Sequence, residues 1–466
     1  MTYDLLLEDI KNYVQSPPAF SPRAYETAQA CLLDALGCAL LALSFDKPKK
    51  LIGPVVPGAV LKNGARVVGT DYQLDPVKAA FDNGLLIRWL DFNDTWLAKE
   101  WGHPSDNLGA ILAVMDYLGQ TNQQQFTVKQ LLEAMIKAYE IQGILALGNA
   151  FNQCGLDHVI LVKLASAAVC MPLLGGDDQA LLRVLSQVFV DGQALRTYRH
   201  YPNTGSRKSW AAGDACARAV FLCLLTLKGE TGYPSAITEP TWGFQDASFR
   251  HQPLVLEQAF GSYVMENILF KVAFPAEFHA QTAVEAALIL HSQVKDRLDA
   301  IDRIEVFTQE AGKRIIDKKG PLSSPADRDH CLQYMIAVPL IWGELSAESY
   351  TNTVSLDPRV DILREKMIVK EEPSFTRDYF NPAKRAIPNR IQIFFHDGSQ
   401  TEAVQVDYPL GHAMRRAEAT PLLQEKAFRN ISARFGDQRA KKVLAQCVDS
   451  DLLSVPVSVL LTLFTA

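Results

Sequence analysis

Apolar residues recur every three or four positions through the first half of this chain, a period that an α-helix buries on one face. The pattern runs through Arg23–Leu43, Val128–Leu147 and Val159–Leu174. It continues over Asp178–Leu195 and Ser206–Leu227, the latter opening on Ser-, Thr- and Gly-bearing sequence suited to an N-cap. Short Gly- and Pro-bearing connections are expected between these helices. After about residue 268 the pattern changes. Pro275-Ala-Glu predicts a helix start that runs to about Val294. Ile301–Thr308 then alternates apolar and polar residues as a strand does, and Arg390–Tyr408 reads as a hairpin turning at Asp397-Gly398. From about Met414 helix returns. At 466 residues the chain exceeds the usual size of a single core. The expected fold is therefore multi-domain and mostly α. A large all-helical domain takes 1–268 with 411–466, and a smaller α+β domain takes 269–410.

Charge narrows the partners. A net charge of −6 argues against nucleic acid, and no Lys/Arg block suggests an anionic lipid surface. The N-terminal MTYDLLLEDIKNYVQ lacks the basic and apolar regions of a signal peptide. The most apolar stretch, Cys31–Phe45, is short and broken by Asp34, so no membrane span is expected. Eight scattered cysteines without a CxxC pair read as free thiols in a reducing, cytoplasmic setting. Their spacing does not suit an iron–sulfur cluster. A homodimer is allowed, although no residue fixes the oligomeric state.

GxSxG, GxGxxG, Walker and HExxH signatures are absent. Chemistry is instead concentrated in four polar settings. In Leu85–Asn107 an apolar helical face runs straight into Asp91, Asn93, Asp94 and Thr95. If that helix continues, Asp91, Asp94 and Thr95 share one side. His103 then precedes Pro104 at the start of the next helix, where the dipole favours a neutral imidazole able to relay a proton. A capped helix behind a carboxylate turn has the same pattern. The second setting, Arg196–Trp210, gathers Arg196, Arg199, His200, Arg207 and Lys208 before a helix start, as an anion site or as a solvated basic loop. The third is Phe270–His279, where Lys271 lies in apolar sequence and either carries a lowered pKa or snorkels to solvent. The fourth is His158, beside a capping Asp157. No two histidines lie within a helical turn, so spacing offers no metal site.

These residues resemble the MmgE/PrpD family. The resemblance is carried by Leu90–Leu118 with GHPSDN, by SRKSWAAGDA at 206–215, by GYPSAITEPTWGF at 232–244 and by FKVAFPAEFHAQTAVEAA at 270–287. The run RWLDFNDTWLAKEWGHPSDNLG is most similar to the branch that dehydrates 2-methylcitrate, rather than to its decarboxylase and epimerase relatives. The resemblance implies a helical domain and a smaller α+β domain, with the site in the cleft between them and no iron–sulfur cluster; no cofactor and no metal are expected. It implies that Asp91 and Thr95 form an acidic turn and that His103 and His158 are pocket histidines. Lys208 and Lys271 would face a tricarboxylate substrate, with Arg207, His279 and Tyr334 as further binding residues. Dehydration needs a base beside a carboxylate-bearing carbon, an acid for the leaving hydroxyl, and cations for the carboxylates. The expected base or relay is His103 oriented by Asp91 and the expected acid is His158 or Lys271, with the two roles open to exchange. Decarboxylation of cis-aconitate, epimerisation of an amino-dicarboxylate and silent tricarboxylate binding are the competing readings.

Overall fold

The computed structural model describes residues 2–200, 202–381, 383–447 and 451–466. They form two compact units. One holds the described residues of 1–200, 207–268 and 423–466, and the other those of 202–206 and 269–422.

The first unit is helical for reasons visible at its helix starts. Ser21 accepts from the Ala24 N–H ahead of helix Pro22–Ala42, and Asp75 accepts from Val77 and Lys78 ahead of Pro76–Arg88. Thr127 and Gln130 form a reciprocal capping box on Val128–Gly148. Helices Leu108–Gln120, Val159–Leu173, Asp178–Val190 and Arg207–Leu227 complete the main set. Val159–Leu173 is buried around nearly its whole circumference, which explains its almost unbroken apolar sequence. Arg207–Leu227 is, among the described residues, the one helix long and apolar enough to cross a membrane. Its buried face instead packs on Pro76–Arg88 and Val159–Leu173.

Glycines set the closest crossings. A Cβ on Gly84 would lie 2.8 Å from the Gly213 Cα, and one on Gly109 would lie 2.7 Å from the Ala80 carbonyl oxygen and the Gly84 nitrogen. Helices Pro76–Arg88, Leu108–Gln120 and Arg207–Leu227 thus touch backbone to backbone. Gly84→Ala should destabilise the protein by about 1–2 kcal/mol in urea denaturation. Overpacking costs ~1–3 kcal/mol, and rigid backbone contacts put it above the ~1 kcal/mol that alanine gains in helix propensity. Stability at or above that of the parent chain would refute this account of the crossing.

The connection after Leu227 departs from the expected short lengths. Between Leu227 and Tyr263 the chain holds a single five-residue helix, Phe244–Ser248. Aromatic packing anchors this long segment: the Phe244 ring lies 5.2 Å from Phe189, and Phe249 lies 5.0 Å from Phe151.

The second unit is α+β. Its sheet has the order Met367–Glu371, Ile301–Thr308, Asn389–Phe395, Val404–Val406. The first pair is parallel and the other two are antiparallel. Ile304, Val306 and Thr308 are buried, as the alternating sequence predicts, and Ile301 joins them because the register shifts between Ile301 and Arg303. The predicted hairpin is present, with Gly398 at φ +84° accommodating the turn that Asp397 caps through the Ser399 N–H. Helices Gln281–Val294 and Leu332–Trp342 share one apolar core with the sheet through Ala287, Leu290, Ile336, Ile391 and Ile393. The helix expected from Pro275 begins later, at Gln281 after the 3₁₀ turn Phe278–Ala280. Glu277 rather than Pro275 marks the start, because its carboxylate accepts from the His279 N–H.

Candidate active site

The residues of the first unit converge where helix Pro76–Arg88 ends. The helix does not continue through Asp91–Thr95, so those residues do not share a helical side. Asp91 takes a left-handed backbone, φ +53°, a conformation that Asp tolerates better than most residues. This turn folds the Asp91 carboxylate back onto Arg88, whose Nη1 pairs with Asp91 Oδ1. Both are buried. Trp96–Leu97 and Trp101–Gly102 then form a two-residue ladder that returns the chain to His103 and the 3₁₀ turn Pro104–Asn107.

His103 is oriented through Nδ1. That nitrogen lies 2.6 Å from the Asp94 carbonyl oxygen, which only accepts, so Nδ1 carries the proton and donates. The Thr95 hydroxyl stands 3.3 Å from the same nitrogen. In neutral His103 the lone pair therefore belongs to Nε2, and Nε2 lies 3.4 Å from Asp91 Oδ1. A proton gained at Nε2 would face a carboxylate already in place. Below this pair, Asp94 Oδ1 accepts from the Ser105 N–H and hydroxyl at 3.1 and 2.8 Å, and Oδ2 accepts from Tyr139 at 2.5 Å. Asn93 donates to Ser105 at 2.9 Å and to Asp106 at 3.1 Å. Burial pushes Asp94 up to about 6 and Asp106 up to about 7, in the second case against the pull of Arg88.

His158 stands beside this cluster at the start of helix Val159–Leu173, its ring centroid 6.1 Å from that of His103. Burial lowers its pKa to about 3, with Arg199, Arg196 and Arg88 adding to the effect against Asp157. It is neutral at physiological pH. Asp157 Oδ1 lies 3.2 Å from His158 Nδ1, and the Asp157 carboxylate is gripped by Arg199 through Nε and, at 3.1 Å, through Nη2. Burial opposes ionisation of Asp157, but Arg199, His158 and Arg196 overcome it and hold the group well below the usual carboxylate range. Lys208 is buried at the start of helix Arg207–Leu227. Arg207, one residue earlier, is half-exposed, pairs with Asp214 at 3.1 Å and stacks over Trp210 at 4.3 Å. It also lies 5.6 Å from the centre of the Tyr198 ring, which the buried Arg199 approaches to 5.4 Å.

The second unit holds Lys271, His279 and Tyr334. Lys271 is 0% exposed. Burial raises the Glu277 pKa, but the neighbouring His279, then His330 and Lys271, outweigh it and hold the carboxyl below its ordinary range. His279 sits between two partners, with Nδ1 at 2.8 Å from Glu277 and Nε2 at 3.1 Å from the Tyr379 hydroxyl. Its ring is thus already engaged on both sides. Tyr334 belongs to the apolar core of the unit. Its hydroxyl donates to the Ser349 carbonyl at 2.7 Å, and its ring stacks on Tyr350. Its only polar group is committed within the core.

Four participants escaped the sequence reading as functional side chains: Arg88, Asp106, Asp157 and Tyr379. Arg88 was detectable in principle. An arginine amid Leu85, Leu86 and Leu90 needs a carboxylate, and Asp91 stands three residues on. Tyr379 carries no local signal, because it meets His279 across a separation of 100 residues. Among the described residues no three His, Cys, Asp or Glu side chains gather as a metal-binding group.

A mostly helical protein that buries two imidazoles among paired carboxylates and guanidinium groups has the equipment of a proton-transfer protein for anionic ligands. The MmgE/PrpD N-terminal domain model matches residues 8–257 and the MmgE/PrpD C-terminal domain model matches residues 274–450. The chain belongs to the MmgE/PrpD family. It is 54% identical to 2-methylcitrate dehydratase of Salmonella typhimurium over 99% of this chain and 97% of that one. Against 2-methylcitrate dehydratase of Escherichia coli the identity is 53% with the same coverage. Mitochondrial 2-methylcitrate dehydratase of Yarrowia lipolytica is 53% identical over 95% of this chain and 86% of its own length.

Proposed function

We propose that this chain is a hydro-lyase of the 2-methylcitrate cycle of propionate catabolism, converting 2-methylcitrate to 2-methylaconitate without an iron–sulfur cluster. The observation that carries the proposal is its identity, above half over nearly the full chain, to bacterial and fungal 2-methylcitrate dehydratases. Citrate and cis-aconitate are proposed as secondary substrates.

In the proposed mechanism His103 Nε2 takes the proton from the carbon beside a carboxylate. Two features support that role: Nδ1 is committed to the Asp94 carbonyl, and Asp91 waits beside the imidazolium that forms. As the carbon–hydrogen electrons form the double bond, the neighbouring carbon–hydroxyl bond breaks and the hydroxide takes a proton to leave as water. His158, with a pKa of about 3, has no spare proton to give at neutral pH and serves as a neutral hydrogen-bonding group. Lys271 is the proposed acid. Lys208 and Lys271 are the proposed cations for the carboxylates, with Thr95 as a further contact. The surface pairing of Arg207 and the internal bonding of His279 and Tyr334 favour supporting roles for these three.

Eight free cysteines suit a cytoplasmic setting. A homodimer is the proposed assembly, two-fold dimers being the commonest oligomers. The test incubates purified protein with 2-methylcitrate, citrate and cis-aconitate, following the conjugated acid by ultraviolet absorbance and chromatography. The expected result is fastest formation of an unsaturated tricarboxylate from 2-methylcitrate, unchanged by a chelator. Carbon dioxide release from cis-aconitate as the main reaction would replace the proposal with the decarboxylase reading. Activity lost to chelator and restored by added metal would replace the metal-free mechanism.

A further inference from the structure

We infer that the second unit carries a binding site for a small oxyanion, a molecule bearing a carboxylate or phosphate group, in the pocket lined by the 318–321 loop and helix Pro358–Glu365. The pocket holds about 420 Å³, within the ~300–1,000 Å³ usual for small-molecule sites. Lys318, Lys319 and Arg364 supply its cations, Asp361 and Glu365 its acids, and Gln333 its amide. None of the residues proposed above to handle 2-methylcitrate lines it.

Two cationic atoms in this lining are left to be met. Lys318 Nζ is buried without a hydrogen-bond partner, and so is Arg364 Nε. The groups around them are committed. Arg364 pairs with Asp361 through Nη1, and its Nη2 donates to the Gly320 carbonyl at 2.7 Å. Gln333 donates to Asp317 at 2.6 Å and accepts from the Cys331 thiol at 3.4 Å. The same thiol lies 3.5 Å from the Lys318 carbonyl oxygen, tying that main chain to a buried side chain. The Arg364 side chain is 9% exposed and that of Asp361 is 62% exposed, so the acid of this pair faces water while the guanidinium is enclosed. Cationic N–H groups taken from water cost stability unless an acceptor meets them. Water could accept from either group but brings no charge. A carboxylate or phosphate brings both the charge and at least two acceptor oxygens. The wall is also shaped in advance. Gly320, at φ +86°, bends the loop, and the Arg364 bond to its carbonyl holds that bend.

The test is calorimetric titration of the full chain with inorganic phosphate and, separately, with succinate, at an ionic strength held constant with chloride. The parent chain is compared with Lys318→Met, which keeps an apolar stem and removes the ammonium. At least one of the two anions should bind the parent. Its Kd should rise at least tenfold in Lys318→Met, the loss expected when a charge-assisted bond is removed. Binding of phosphate alone assigns a phosphate-bearing ligand, and binding of succinate alone a carboxylate-bearing one. Binding of both supports a site that reads the oxyanion itself. With neither anion added, kcat on 2-methylcitrate should stay within twofold of the parent. If Lys318→Met fails to fold, Lys318→Gln serves in its place. Failure of both anions to bind the parent overturns the inference, and so does equal affinity in parent and folded variant. A tenfold loss of kcat alongside the lost binding would put Lys318 in the reacting site and overturn it as well. The titrations need no turnover, so absence of dehydration by the parent chain would count against the proposed function only.

Discussion

His103→Ala should lower kcat on 2-methylcitrate at least about a hundredfold, the loss typical of removing a group that transfers the proton. The paired variant His103→Asn makes the expectation sharper. An asparagine amide can reproduce the imidazole Nδ1–H and keep the 2.6 Å bond to the Asp94 carbonyl, but it offers nothing in place of Nε2. If His103 only held the Asp91–Thr95 turn in shape, Asn would restore most of the rate. If Nε2 moves the proton, Asn should be as slow as Ala, with thermal unfolding near that of the parent. The measurement is kcat and melting temperature for both variants side by side. A folded Asn variant within a few-fold of the parent removes His103 from the chemistry.

The second large effect lies far from the reacting atoms in sequence. Lys426 is 0% exposed, and its ammonium pairs with Asp34 at 2.7 Å, donates to the Phe92 carbonyl at 2.6 Å and lies 3.7 Å from the Phe92 ring centre. Phe92 follows Asp91, so this cation pins the left-handed turn from behind. Lys426→Met should destabilise the protein by about 3–5 kcal/mol, the cost of leaving one partner of a buried ion pair alone. Burial already pushes the Asp34 carboxyl up, with Lys426 opposing it, so the lone acid would take a proton rather than stay charged. Adding Asp34→Leu should recover much of the loss, because the apolar pair removes the desolvated charge altogether. Activity should recover less than stability, since Phe92 would still lack its donor. Urea denaturation and kcat at 25 °C give the two readings. A single variant as stable as the parent would show that the pair is not buried in solution.

Much of this fold was legible because its signals are local. The main helices follow from the spacing of apolar residues, and in the structure Ser21, Asp75 and Thr127 cap three of their starts. The alternation of Ile301–Thr308 and the Asp397-Gly398 turn located most of the sheet. The strand Met367–Glu371 was not found, since only Met367 among its five residues is buried and the alternation is correspondingly weak. Candidate site residues stand out in sequence where a polar group interrupts an apolar run, as Asp91, His103 and His158 do. What could not be read was which group meets which. The side chains from Asp91 to Thr95 are compatible with a continued helix; the φ of +53° at Asp91 comes with the contacts that Arg88 and Lys426 make there. Tyr334 illustrates the reverse. The same aromatic side chain suits a pocket or a core, and only the bond to Ser349 distinguishes them.

The placement of Lys426 also sets an order of events during synthesis. It is made 334 residues after the Phe92 it supports, and at ordinary translation speeds that interval is roughly 20–70 s. For all that time the nascent chain carries Asp34 without its cation and the Asp91 turn without its prop. Early helices can form and collapse, but the arrangement proposed for proton transfer is locked only when the last-made segment docks on the first. A ribosome-bound chain stalled before residue 426 should therefore expose the turn to protease, and completing synthesis past Lys426 should close it.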